Sequence, residues 1–276
     1  MPELVEVETV RRALEPVLHG ARITAAAVMH PRTARRNERP DDVAERLVGR
    51  RVTAVDRHGK FLLCPLDEDL LWVIHLGMSG RVTVVSPESP VERHTRFRSA
   101  TDRGDEIRLV DPRTFGFVAV FTPEEAKRSS LAKLGPDALT ALPPTRLLAR
   151  TLEGRRAPIK ALLLDQRVLA GLGNIYADEV LHRAGIDPLR AGGDLDVADV
   201  ERLRRSIRPV LEEGLRHGGT SLDDLAYLLP DGRAGEFLTR LRVYGREDQP
   251  CLRCGTPIIR RVVAGRSTYS CPSCQR

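Results

Sequence analysis

The sequence predicts an α+β protein of several units: an N-terminal antiparallel β-sandwich with flanking helices, a helical region, and a C-terminal metal-bound β-hairpin. Three observations carry that class. Six short apolar runs between positions 52 and 121 are separated by Gly, Pro and Asp, the pattern of antiparallel strands in a sandwich or flattened barrel. Beyond position 144 the apolar period lengthens to that of helices. The last 26 residues carry Cys251-x-x-Cys254, a sixteen-residue spacer and Cys271-x-x-Cys274, which can place four thiolates around one tetrahedral zinc.

The first element is expected from Glu3 to Leu18. Leu4, Val7, Val10, Leu14 and Leu18 recur there at helical spacing, and Pro2 suits a first-turn position. Strands are expected at Val52–Val55, Phe61–Leu66, Leu70–Leu76, Arg81–Val85, Ile107–Val110 and Phe117–Phe121. A connector at 131–154, centred on Pro136–Pro144, leads to the helices. These are expected from Ile159, over Ile175–Ala184 and over Asp196–Glu213. The middle one follows Gly171-Leu172-Gly173-Asn174 and stops at Gly185-Ile186-Asp187-Pro188, where Gly and Pro do not continue a helix. A shorter helix is expected after Gly218-Gly219-Thr220, then a loop at Pro230–Gly235. The resulting divisions are 1–130, 131–154, 155–240 and 241–276.

A chain of 276 residues can bury a sizeable core. Its 44 basic and 38 acidic residues give a net charge of +6 and an isoelectric point near 9.3, which favours an anionic partner. From Cys251 to the end there are five arginines and no Asp or Glu, so the metal hairpin is a candidate phosphate-binding surface. The alternatives for the four cysteines are a purely structural zinc knob and a disulfide pair. The opening Pro2-Glu3-Leu4-Val5-Glu6 is unlike a secretory leader, and no apolar run reaches membrane-spanning length. A cytoplasmic protein with reduced thiols is therefore expected, with no membrane partner. Cys64, in an apolar strand, is expected to be a buried, inert thiol. The basic residues are 40 Arg and only four Lys, which draws attention to Lys60 and Lys160 as sites suited to a compact ammonium.

Removal of Met1 before a small residue would expose the secondary amine of Pro2. An α-amino group has a pKa near about 8, and the positive end of the following helix lowers it. Such an amine can attack an electrophilic carbon and form an iminium ion, with Glu3 moving protons beside it. Pro then Glu is also an ordinary helix start, and for these two residues alone that is the preferred reading.

Further segments change that balance. They are Pro2-Glu3-Leu4-Val5-Glu6-Val7-Glu8-Thr9, His58-Gly59-Lys60-Phe61-Leu62-Leu63, His75-Leu76-Gly77-Met78-Ser79-Gly80 and Asp111-Pro112-Arg113-Thr114-Phe115-Gly116. Gly171-Leu172-Gly173-Asn174-Ile175-Tyr176-Ala177, Tyr244-Gly245-Arg246 and Gly265-Arg266-Ser267-Thr268-Tyr269 complete the set. Together, and in this order, they resemble the formamidopyrimidine-DNA glycosylase family over nearly the whole chain.

The resemblance implies a monomeric enzyme with one structural zinc that excises oxidised purines from duplex DNA and then cuts the strand as an AP lyase. It implies that Pro2 attacks C1′ of the damaged nucleotide and that Glu3 assists sugar opening and later proton transfers. Lys60 then holds phosphate and donates a proton, and Arg266 completes the phosphate grip for δ-elimination. Met78 and Phe115 become apolar wedges that fill the gap left by an extruded nucleotide; without the resemblance they read as core packing. Arg113 contacts the base opposite the lesion. Asn174 is expected to cap the next helix, in the helix–two-turns–helix domain, whose free N–H groups suit a phosphate. His94, Arg155 and Lys160 join the DNA contacts, Glu6 and Tyr244 the lesion pocket, and Cys251, Cys254, Cys271 and Cys274 the zinc. The segment from His217 to Gly235 lies where the family folds over the extruded base. The β-rich and helical domains are expected to flank a basic cleft.

Two positions depart from the family pattern: Val5, where Pro is usual, and Thr114, where a second Arg is common. Both bear on lesion preference rather than on the nucleophile. The related endonuclease VIII type shares the terminal Pro-Glu and the zinc hairpin but removes oxidised pyrimidines. Leu4-Val5-Glu6-Val7-Glu8 and the Asp111–Gly116 segment favour the purine enzyme. A non-catalytic damaged-DNA-binding homologue is the third reading, and the set Pro2, Glu3 and Lys60 argues against it, since binding alone needs no free amine.

Overall fold

The computed structural model describes residues 2–221 and 232–276. The chain divides into two compact units, Met1–Lys133 with His217–Leu238, and Leu134–Arg216 with Thr239–Arg276.

The first unit opens with α1 (Leu4–Leu18), whose Leu4, Val7, Val10, Leu14 and Leu18 stripe is buried. Glu3 is the N-cap, with extended backbone, so Pro2 stands just before the helix rather than inside its first turn. Then come β1 (Ile23–Val28), a 3-10 turn at Pro31–Ala34, α2 (Asp42–Leu47), β2 (Asp56–His58), β3 (Phe61–Pro65) and β4 (Leu71–His75). They are followed by β5 (Arg81–Val85), β6 (Thr95–Thr101), β7 (Glu106–Val110), β8 (Phe117–Phe121) and α3 (Pro123–Arg128). The strands form two antiparallel four-stranded sheets, β1-β6-β7-β5 and β2-β3-β4-β8. Leu62, Trp72 and Val118 from one sheet share a core with Ile23, Phe97 and Leu109 from the other, and with the apolar face of α1. The result is a sandwich.

Two strands lie outside the sequence expectation. β1 reads Ile-Thr-Ala-Ala-Ala-Val, and its alanines carry little strand signal. β6 does alternate, but its buried face is Thr95, Phe97, Ser99 and Thr101, mostly small polar residues that hide the period. Val52–Val55 is not a strand; Val52 makes an isolated bridge to Leu66, and the pairing residues are Asp56–His58.

The second unit contains α4 (Thr145–Leu152), α5 (Ile159–Leu164), α6 (Asn174–Ala184), α7 (Val197–Arg216), β9 (Ile259–Val263) and β10 (Arg266–Ser270). The α4 helix packs on α7 and buries Leu148 and Leu152, so the segment expected as a connector is part of a folded unit. His217–Leu238 also departs from expectation: it groups with the sandwich, not with the helices. The short helix expected after Thr220 falls on 222–231, outside the described residues. Among the described residues no helix is long and apolar enough to cross a membrane.

Candidate active site and metal centre

Pro2 and Glu3 are both buried at the N-terminal, positive end of α1, Glu3 at 2% exposure. The Glu3 N–H donates to Glu6 Oε2 at 2.7 Å, and the other Glu6 oxygen accepts the Thr220 N–H at 2.8 Å. Glu6 is therefore an internal acceptor and not a helix-surface group. The returning backbone comes this close because residue 219 is glycine. A Cβ there would stand 2.8 Å from Glu6 Oε1, and the φ of +83° disfavours any other residue.

Lys60 follows Gly59 at the turn between β2 and β3 and is buried, so it is not a solvated strand-end lysine. Its charge reaches His75 on β4. Burial, then the charges of Lys60, Arg35 and Arg36, push the His75 imidazole down to about 4. Neutral at ordinary pH, His75 accepts the Gly77 N–H on Nδ1 at 3.0 Å and stacks on Phe117 with ring centroids 5.4 Å apart.

Met78 and Phe115 are 39% and 38% exposed, which removes the core-packing reading for both. Their loops meet backbone to backbone: a Cβ on Gly77 would lie 2.3 Å from the Gly116 nitrogen. Asp111, almost fully buried, locks the two loops together. Its Oδ1 accepts the Ser79 hydroxyl at 2.7 Å and the Arg113 N–H at 3.2 Å, and its Oδ2 accepts the Gly116 N–H at 2.7 Å. The Arg113 guanidinium lies 5.0 Å from the centre of the Phe115 ring. Thr114, one of the two departures, takes a φ of +57°, a strained conformation for a β-branched residue. Arg35 supports the loop by donating to the Phe115 and Gly116 carbonyls at 2.8 and 2.7 Å, and Arg32 donates to Thr114 O at 3.3 Å. Neither arginine was singled out from the sequence; the available signal was their clustering in Arg32–Arg36. His94, at a φ of +69°, is half-buried with Nδ1 3.1 Å from Arg96.

In the second unit α6 presents Asn174, Asp178 and His182 at successive i, i+4 positions, one stripe of the helix. All three engage the C-terminal segment. Asn174 Nδ2 donates to Ser267 O at 3.0 Å, Asp178 Oδ2 accepts the Tyr269 N–H at 3.0 Å, and His182 Nε2 lies 3.5 Å from Cys251 Sγ. Glu179 accepts three consecutive N–H groups, from Arg242, Val243 and Tyr244, at 2.8, 2.9 and 2.9 Å. That seats Tyr244, whose ring packs edge-on against Tyr269 at 5.1 Å.

Lys160 on α5 corrects the sequence expectation. It is 0% exposed, and its ammonium donates to Ser267 O at 2.9 Å and Thr268 Oγ1 at 2.8 Å while pairing with Asp178 at 2.8 Å. Such a lysine has no surface for a phosphate; it holds β10 against α5 and α6. Arg155 is exposed just before α5. Arg266 is exposed at the first position of β10, after the Ala264-Gly265 turn with φ of +48° and +72°.

The four sulfurs of Cys251, Cys254, Cys271 and Cys274 all lie within 4.8 Å of one another. Measured pairs stand at 3.9 Å (Cys251–Cys274), 3.5 Å (Cys254–Cys271) and 3.3 Å (Cys254–Cys274). Sulfurs bound at the usual length to a tetrahedral zinc stand about 3.8 Å apart. The set fits zinc, which when bound supplies folding energy to the hairpin. The Arg253 and Cys274 N–H groups each donate to a sulfur at 3.4 Å, to Cys251 and Cys271 respectively. Cys64 is fully buried, and burial pushes its thiol up to about 12, an inert packing group.

A β-sandwich unit, a helical unit and a four-cysteine hairpin define a multi-unit zinc-finger protein. Family models match in the same order: "Formamidopyrimidine-DNA glycosylase N-terminal domain" over residues 1–118, "Formamidopyrimidine-DNA glycosylase H2TH domain" over 134–225, and "Zinc finger found in FPG and IleRS" over 248–276. The chain belongs to the formamidopyrimidine-DNA glycosylase family. It is 44% identical to the formamidopyrimidine-DNA glycosylase of Geobacillus kaustophilus, with 100% of both chains covered. To that of Nocardia farcinica it is 43% identical, covering 100% of this chain and 98% of the relative. Lactococcus lactis Fpg, solved in complex with abasic-site DNA, matches with a TM-score of 0.90 and 31% identity over 100% of both chains. MutM (Fpg) from Thermus thermophilus matches with a TM-score of 0.88 and 42% identity over 99% and 98%.

Proposed function

We propose that this chain is a bifunctional DNA glycosylase and AP lyase that removes oxidised purines, 8-oxoguanine and formamidopyrimidines, from duplex DNA in base excision repair. The observation that carries the reading is the placement of Pro2: directly before the N-cap of α1, followed at once by the buried carboxylate Glu3. Glu3 also closes a capping box with Glu6, so the start of the helix itself fixes this carboxylate beside Pro2.

Once Met1 is removed, the Pro2 nitrogen has a lone pair that the positive end of α1 keeps available near neutral pH. It attacks C1′ while the bond from C1′ to the base nitrogen breaks, and the base leaves with that electron pair and a proton. Glu3 passes a proton to the sugar ring oxygen, which opens the ring and leaves an iminium between Pro2 and C1′. Loss of the C2′ proton expels the 3′ phosphate; loss of the C4′ proton then expels the 5′ phosphate. Water finally releases Pro2.

The remaining residues position the nucleic acid. Met78 and Phe115, exposed and clamped together by Asp111, occupy the gap left by the extruded nucleotide, and Arg113 faces the base opposite. Lys60 and Arg266 hold the phosphates of the damaged strand. Asn174, at the start of α6, offers its helix N-terminus to a phosphate, and His94 and Arg155 add contacts. Glu6 shapes the lesion pocket by holding Thr220, and Tyr244 is a further candidate for contact with the lesion. The enzyme acts as a monomer in the cytoplasm, on the nucleoid.

Borohydride trapping on two duplexes tests this reading, one with 8-oxoguanine opposite cytosine and one with thymine glycol opposite adenine. The expected result is a covalent adduct mapped to Pro2, formed mainly on the first duplex. Preference for the second would replace the purine substrate by a pyrimidine. No adduct on either, with the terminus processed, would overturn the enzymatic reading.

A further inference from the structure

We infer that His182 is an outer-sphere partner of the zinc centre, donating its ring N–H to the Cys251 thiolate and so making α6 part of the metal site. His182 is 4% exposed and Cys251 3%, with Nε2 and Sγ 3.5 Å apart. A thiolate shut away from water needs N–H donors in place of solvent. Cys251 receives one from its own turn, the Arg253 N–H at 3.4 Å. His182 supplies a second from a helix 69 positions earlier in the chain. A metal-bound thiolate has no proton to give, so the contact requires the His182 ring to carry its proton on Nε2.

The residues that follow α6 meet the segment of the second pair of cysteines. The Arg276 N–H donates to Gly185 O at 3.1 Å, and Gln275 Nε2 donates to Ile186 O at 2.9 Å. Gln275 Oε1 in turn accepts the Cys271 N–H at 2.8 Å. The two carbonyls that follow α6 are thus taken up by residues next to the metal ligands, while Leu181 O and His182 O are capped by the N–H groups of Ile186 and Gly185. The same helix begins at Asn174 and holds Tyr269 through Asp178. Metal occupancy and the seating of β10 are therefore coupled through one rigid element.

The test uses the full-length, zinc-loaded protein and two variants, His182→Phe and His182→Gln. Phe keeps the bulk and removes the donor; Gln keeps an N–H at similar reach. Zinc dissociation constants come from competition with a chelator of known affinity. Loss of an outer-sphere donor weakens metal binding about 10–100-fold, and that is the expected result for His182→Phe. His182→Gln should stay within about threefold of the parent, since the donor remains. Unchanged affinity in His182→Phe, or equal weakening in both variants, overturns the proposal; the second outcome would assign the effect to packing. The parent protein with cadmium in place of zinc gives an independent reading. A correlation between the His182 ring N–H proton and the metal, carried across the Cys251 sulfur, supports the bond, and its absence for a resolved ring proton overturns it.

Discussion

Glu6 Oε1 accepts the Thr220 N–H at 2.8 Å, joining the first turn of α1 to a residue 214 positions further on. Its other oxygen takes the Glu3 N–H at 2.7 Å, so one carboxylate sets the spacing between the proposed proton carrier and the returning segment. Glu6→Ala removes the acceptor from two buried N–H groups, at a cost of about 1–3 kcal/mol each. The urea midpoint should fall accordingly, and trapping on 8-oxoguanine duplex should fall further than trapping on abasic DNA. A midpoint equal to that of the parent would show that water substitutes for the carboxylate without loss.

Asp111 holds the loops of Met78 and Phe115 as one unit. Asp111→Ala frees the Ser79 hydroxyl and the Arg113 and Gly116 N–H groups, a destabilisation on the order of 3 kcal/mol. The chemistry at Pro2 needs no wedge when the nucleotide is already outside a helix. Adduct formation on duplex DNA should therefore drop at least tenfold while that on a single-stranded abasic oligonucleotide holds, a contrast of about 1.4 kcal/mol or more in barrier. Equal losses on both substrates would exclude the wedge role.

The buried Lys160–Asp178 pair makes two separable predictions. Burial already pushes the Asp178 carboxyl up to about 7, so Lys160→Met leaves it to take a proton in place of its partner; breaking the pair costs at most about 3–5 kcal/mol. Adding Asp178→Asn should recover part of that loss, which a double-mutant cycle in denaturant would measure. At a temperature where Lys160→Met is folded, the salt dependence of its DNA affinity should match the parent. A slope reduced by about one charge would mean that Lys160 touches phosphate after all.

His75 sets an acid limit on the first unit. Unfolded, its imidazole takes a proton near 6.5; folded, only near about 4. Between those values the unfolded state binds more protons, so stability is complete above 6.5 and declines as pH falls toward 4. The full difference amounts to at most about 3–4 kcal/mol. Equilibrium unfolding at pH 7 and pH 5 should show that decline in the parent and a smaller one in His75→Gln, which keeps an acceptor for Gly77.

Much of the site was legible where its signal is local. The Cys-x-x-Cys pairs announce a metal because two turns present their sulfurs within four residues of one another. Pro2-Glu3 announces a reactive terminus only in company with the later motifs, since the pair alone is also a helix start. Lys60 and Lys160 looked alike as rare lysines, yet one sits at a strand turn near His75 and the other is sealed among Asp178, Ser267 and Thr268. Arg35 carried only its place in the Arg32–Arg36 cluster, and His182 carried no pattern at all. A histidine on a helix is marked as a metal neighbour only by what the fold brings to it.

The sequence by itself determined the apolar stripe of α1, most strands of the two sheets, the end of α6 at Gly185, and the four metal ligands; the N-cap expected at Asn174 falls instead on Gly173. Each follows from a period of 2 or 3.6, a backbone preference or a short spacing, all acting within a few residues. Only the tertiary structure decided that Glu6 faces inward to Thr220, that Met78 and Phe115 share one clamp, that Lys160 is internal, and that α6 reaches the zinc ligands. Those outcomes rest on desolvation and on hydrogen bonds closed between segments as far as 214 positions apart. No stretch of a few residues contains both partners, so the choice belongs to the fold.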